Sequence, residues 1–325
     1  MAMLKDYCDT RGCLPSCSPK SGLANFFLQG VRRTAPRGFT LIELIVVMVV
    51  TGIIAANIVV FFRPAFDIYI SVGRRAQLTD IADTAMRRMS RDIHLAVPNS
   101  IRSPNAQCFE LVPTSAGGRF RMQPDTVWDG ANPGAPSAWF DGTSAVSALD
   151  LLTPLSTAPV AGDWLVIDNQ ETNDVYAGNN RAAIQNVSAP PNASLGYSRV
   201  GLTAATQFPS GYSGGRFVVV PNAQNAVFYV CAGTGVDGAG SGTGTLYRFA
   251  NYGFNAATPA ACPVPVVAGP TPTPVLATKL KSCSFIYSPT QGETQQSGFV
   301  WMNLEIVDQG ERIALVYGTH VDNVP

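Results

Sequence analysis

Histidine is almost absent from this chain: only His94 and His320 occur in 325 residues. Two histidines far apart in sequence leave a serine or cysteine triad little chance of finding its base. Zinc-type spacing is missing too, since no Cys-x-x-Cys pair exists. No catalytic residue, metal or cofactor is therefore expected, and no enzymatic activity. Charge is also sparse. The 22 Lys and Arg are balanced by 22 Asp and Glu, and no basic cluster forms the footprint of a nucleic-acid partner.

What the chain does have is a long apolar run near its start. From Leu44 to Phe62 there is no charged side chain, and with Phe39 to Ile42 added the segment is long enough to cross a bilayer. Arg32, Arg33 and Arg37 precede it, which favours a cytoplasmic N-terminus and an exported C-terminal part. A secretory signal would carry its small-residue cleavage site after the apolar region. Here the well-placed small residue, Gly38, comes before it, so cleavage there keeps the span. Glu43 is the anomaly, because a carboxylate inside a span is costly and needs a partner. Cleavage after Gly38 would supply one: the new α-amino group of Phe39, one helical turn away, on the same or a neighbouring helix.

The stretch RGFTLIELIVVMVVTGIIAA, residues 37–56, closely resembles the prepilin cleavage and methylation motif of type IV pilins and type II secretion pseudopilins. The resemblance implies that a prepilin peptidase cuts after Gly38 and methylates Phe39. It also implies that Glu43 helps dock subunits into a helical filament and that Pro64 bends the helix. The partners it implies are the peptidase, other major and minor pilins, an inner-membrane assembly platform and membrane lipid. The string Arg87 to Arg102 and the terminus His320 to Pro325 resemble minor pilins of the mannose-sensitive haemagglutinin pilus system. A minor pilin of such a pilus is the function implied, with a J-type secretion pseudopilin and a tip adhesin or DNA-binding pilin as alternatives. A membrane-anchored enzyme or sensor that never assembles is a further alternative, one in which Glu43 would have no role. The leader departs from the family in length, since 38 residues precede Phe39; initiation near Val31 would leave a short basic leader and remove Cys8, Cys13 and Cys17.

These readings divide the chain into a leader (1–38), a transmembrane helix (39–62), an amphipathic extension (63–97) and a β-rich extracytoplasmic domain (98–325). The expected fold is α+β, a long N-terminal helix packed on a β-rich domain. Phe66, Ile70, Leu78, Ile81, Ala85, Met89 and Ile93 recur at helical spacings. Arg74, Arg75, Arg87, Arg88 and Arg91 fall mostly elsewhere, as a solvated or filament-facing surface. The helix should end near Ala96 or Val97, ahead of Pro98, and Pro64 should bend or locally unwind it. Strands are expected at 108–112, 164–168, 216–220, 226–231, 245–249, 284–287, 299–307 and 312–317, with Val300, Met302, Leu304 and Ile306 on one face. The glycine-rich run 233–244 reads as a mobile loop and the proline-rich segment 258–274 as extended chain.

Once the leader is removed, four cysteines remain, all in the exported part, where disulfides persist. Four allow three pairings. Cys231 with Cys262, closing the glycine-rich region, and Cys108 with Cys283 is the pairing expected. The acidic stretch 168–180 offers Asp168, Glu171 and Asp174 to a calcium ion but lacks EF-hand spacing, so it reads as a solvated turn.

Overall fold

The computed structural model describes residues 38–210, 214–290 and 297–322. The leader, with Cys8, Cys13, Cys17 and the start near Val31, lies outside the described residues, as do Asn323, Val324 and Pro325. The chain divides into two compact units, one ending at Phe61 and one beginning at Phe62.

The described part of the first unit is essentially one helical segment. Helix α1 (Leu41–His94) begins here and continues into the second unit. Every residue from Leu41 to Phe61 is exposed, and the segment is long and apolar enough to cross a membrane. Its few polar side chains are turned back on the helix itself. Thr51 donates to the carbonyl of Val47 at 2.7 Å and Asn57 to that of Ile53 at 2.8 Å, which lowers the cost of placing a hydroxyl and an amide in hydrocarbon. The α-helix runs through Pro64 without interruption, so the expected local unwinding does not occur.

In the second unit the remainder of α1 lies on a sheet. The strands are β1 (Arg102–Asn105), β2 (Cys108–Leu111), β3 (Ala116–Arg119), β4 (Val146–Leu151), β5 (Trp164–Val166), β6 (Arg181–Ser188), β7 (Ser198–Thr206), β8 (Arg216–Val220), β9 (Val227–Ala232), β10 (Gly244–Phe249), β11 (Val275–Ser288), β12 (Ser297–Asp308) and β13 (Glu311–Asp322). Seven form one sheet in the order β1-β2-β9-β10-β11-β12-β13; six form another, β3-β8-β5-β6-β7-β4. The fold is α+β with a pilin-like layout.

Burial explains the helix's place. Leu78, Ala82, Ala85, Met86, Met89 and Ile93 pack on Phe109, Tyr229, Leu246, Leu280 and, from alternate positions of β12, Val300, Met302, Leu304 and Ile306. The β12 face is the one its alternation implies. The helical stripe is shorter than its periodicity suggests, because Phe66 and Ile70 are exposed. The helix also stops earlier than expected. His94 is its last residue, and Val97 instead donates its N–H to the carbonyl of Val112, at 2.8 Å. The second sheet has its own core of Phe120, Phe140, Leu149, Leu151, Leu165, Val200 and Phe217.

The disulfides are Cys108–Cys262 and Cys231–Cys283, which corrects the expected pairing. Strand alternation is the reason. Cys231 faces the helix-side core, whereas Cys108 joins Phe228, Val230 and Cys262 in a cluster of its own. Cys262 is therefore matched to Cys108, and the proline-rich segment is strapped across β2. The glycine-rich run is equally tied down. Val236 bridges Gly242, Asp237 accepts from the N–H groups of Ala239 and Ser241, and Gly242 lies so close to the Lys279 carbonyl that a side chain would not fit.

Near the end of α1, Asp92 is almost fully buried and accepts from Tyr229 at 2.6 Å and Arg248 at 2.9 Å. Burial first, and the Asp92 carboxylate second, push the Tyr229 phenol well above its ordinary range. Because the folded state holds this proton more tightly than the unfolded chain does, the contribution to stability is complete below about pH 10 and is lost as pH rises beyond it. Denaturant titrations begun at neutral pH should therefore show level stability up to about pH 10 and a fall above it, with a shallower fall in Tyr229→Phe. Removing the strap's anchor by Cys262→Ser releases a 154-residue closure and should cost about 2–5 kcal/mol. Limited proteolysis should then cut within residues 255–274, which the oxidised parent resists.

Candidate functional site

The site singled out by the sequence is the start of α1. Gly38 and Phe39 precede the helix, and Phe39 is exposed. Thr40 caps it: its hydroxyl accepts the N–H of Glu43 at 3.3 Å, and its carbonyl accepts that of Leu44 at 3.2 Å. One otherwise unsatisfied backbone donor is thereby paired at a helix end that has no water to turn to in a bilayer. Glu43 stands in the first turn, where the positive end of the helix dipole favours a carboxylate. Thr40 and Glu43 have the spacing of a capping box. Thr40 is not among the residues that the sequence singles out, although Thr-Leu-Ile-Glu carries the signal for a cap.

Gly38, Phe39 and Glu43 are thus brought together on one exposed terminus. Phe39 and Glu43 stand about one helical turn apart in sequence, and both are exposed.

The other candidate, the acidic stretch, is neither a solvated turn nor a gathered ligand set. Asp168, with φ at 55°, is buried together with Asn169 and Asn180. Asn169 accepts from Val175 N–H and Asn180, and donates to the Pro98 carbonyl. Burial raises the Asp168 carboxyl above its usual range despite a bond from Gln170, while Asp174 accepts from the Glu171 N–H. Among the described residues no group of three or more His, Cys, Asp or Glu side chains is placed to hold a metal. The stretch is a polar knot that fastens the second sheet to the turn after α1. The histidines are also placed: His94 meets Thr319 at 2.7 Å, and His320 lies in β13 against Phe299 rather than in a loose tail.

Residues 33–56 match the family described as the prokaryotic N-terminal methylation motif. The match contains Gly38, Phe39 and Glu43 and supports a type IV pilin-like protein, pilin or pseudopilin, in a family that is structural rather than catalytic. It implies processing by a prepilin peptidase and assembly with other pilins, and with the long apolar helix it fits a single-pass membrane anchor. Neither the curated proteins nor the solved structures hold a significant match.

Thr40→Ala should loosen the helix start by about 1 kcal/mol. In detergent micelles, amide exchange should quicken at Ile42 to Leu44 and stay unchanged beyond Thr51.

Proposed function

We propose that this chain is a minor pilin of a type IV pilus, of the MshO type in the mannose-sensitive haemagglutinin system, which acts by assembly. The observation that carries the reading is the methylation motif over residues 33–56 at the head of a membrane-length helix that continues into a β-rich domain. The precursor is anchored by residues 39–62 with its N-terminus inside. Cleavage after Gly38 and methylation leave a charged amine on Phe39. That amine pairs with Glu43 of a neighbouring helix once the apolar segments pack together, an exchange of lipid contact for helix contact in which an unpaired carboxylate would be costly. The size of the exported domain favours low-copy placement, at a tip or in a priming complex.

Intact mass and N-terminal sequencing of the protein from membranes, with and without the peptidase, test the reading. N-methylated Phe39 is expected only with the peptidase. A chain retaining Arg37-Gly38, or one cut beyond Phe62, would refute it. Glu43→Ala should still be processed but should fall at least tenfold in sheared filament fractions. The named pilus is tested by removing its assembly platform. Loss from filaments supports that pilus, and persistence with loss on removal of a secretion platform identifies a J-type pseudopilin instead.

A further inference from the structure

Where α1 ends, its last residues, the end of β13 and strands β3, β5 and β8 of the second sheet surround a cleft of about 460 Å³, within the usual range of small-molecule sites. Its lining includes two arginines and two aspartates. Arg119 and Arg216 are direct cross-strand partners in the β3–β8 ladder. Like charges placed opposite one another repel. Both residues are exposed, and neither guanidinium has an ion-pair or hydrogen-bond partner among the described residues.

The carboxylates differ from one another. Asp322 has an interaction of its own, which leaves Asp168 as the one that is short of partners. Asp168 is only 4% exposed; Gln170 donates to its Oδ2 at 2.8 Å, while Oδ1 has no hydrogen-bond partner among the described residues. Buried polar atoms nearly always have a partner, and a bare carboxylate oxygen costs more than a bare neutral one. The left-handed backbone at Asp168, with φ at 55°, is a further cost of the sort that folds carry where they position a group for a ligand. His94 also lines the cleft, with one ring nitrogen held by Thr319.

We propose that this cleft binds a small zwitterion of the amino-acid type, its carboxylate on the Arg119 and Arg216 guanidiniums and its ammonium on Asp168 Oδ1. Charge selects this class. A simple anion would suit the arginines but meet Asp168 as a like charge. A metal cation would meet both arginines and, among the described residues, no group of three acidic, His or Cys ligands. A ligand carrying both signs compensates each side. Two guanidiniums offer a planar carboxylate several N–H donors in matching geometry. Oδ1 needs a donor, so a primary ammonium fits, whereas a quaternary one has no N–H to give. Leu95 and Val218 add apolar surface to the same cleft, which suits an aliphatic side chain.

The cleft lies wholly in the β-rich domain, so this inference stands or falls independently of processing at Phe39 and of filament assembly. Equilibrium dialysis of radiolabelled L-leucine against the full chain in detergent micelles tests it, with protein-free micelles as the blank. The expected result is retention of one leucine per chain, saturating below about 10 mM, and displacement by unlabelled leucine. N-acetyl-L-leucine keeps the carboxylate without an ammonium, and L-leucine amide does the converse; each should displace about tenfold less well or worse. Because Asp168 is buried, the blocked amine tests its part without a substitution that disturbs folding. The arginines are exposed and can be changed. Arg119→Gln together with Arg216→Gln should weaken retention about tenfold or more, with both disulfides intact. No saturable retention, displacement by either blocked form as good as by leucine, or full retention in the double variant would overturn the proposal.

Discussion

One helix in this protein must bury its apolar surface in two different media. From Leu41 to Phe61 every residue is exposed, while from Leu78 to Ile93 a narrow stripe is buried against the seven-stranded sheet. The first half has no soluble state of its own: at about 25 cal/mol per Å², its exposed Val, Ile and Phe side chains require lipid or neighbouring helices. The capped start at Thr40 and the back-bonded Thr51 and Asn57 follow from that requirement, since hydrocarbon offers no water to rescue a backbone or side-chain donor. Glu43 is the one group in this half whose charge the helix does not neutralise internally.

The second half imposes the opposite constraint. Ala82 and Ala85, both fully buried, let the helix approach the sheet closely, and Met86 and Met89 fill what remains. The buried carboxylate of Asp92 would be a liability there without Tyr229 and Arg248. The same solution recurs nearby, where Arg102 and Glu110 are buried as a pair. Arg102 also reaches Asn173 and the Asn255 carbonyl and lies over the Tyr176 ring, and Tyr252 completes the Glu110 shell. Such clusters contribute little net energy relative to an apolar core, but losing one partner is costly. They fix where the irregular segments around residues 173 and 255 must sit.

How much of this could be read in the residues depended on contrast. The longer strands of the seven-stranded sheet stand out, because β9 and the centre of β13 are continuous apolar runs and β12 alternates. Most of the second sheet did not register. β3 reads Ala-Gly-Gly-Arg, β6 begins Arg-Ala-Ala-Ile and β7 runs through Gly-Leu-Thr-Ala-Ala-Thr; small residues of weak strand propensity find their place only through Phe120, Phe140 and Phe217 packing over them. The short run at 284–287 was the visible centre of β11, which extends from Val275 to Ser288. Disulfide partners were beyond reach for a different reason, since spacing carries no information about which face of a sheet a cysteine occupies. At the N-terminal site the motif over residues 33–56 is legible, because its residues lie close together in sequence and no long-range packing intervenes.

Strongly shifted ionisable groups often mark reactive sites, yet here they mark anchors. Burial raises the phenols of Tyr176, Tyr229 and Tyr252, and each hydroxyl is committed: to the Ser100 carbonyl, to Asp92 and to Glu110. A general acid or base must exchange its proton with a substrate, and a phenol pushed away from ionisation and already donating to a fixed acceptor does the reverse. The tyrosines spend their polarity on holding α1, the turn after it and the proline-rich strap in register with one sheet. In the β-rich domain these shifted groups thus serve packing, each tied to a fixed partner.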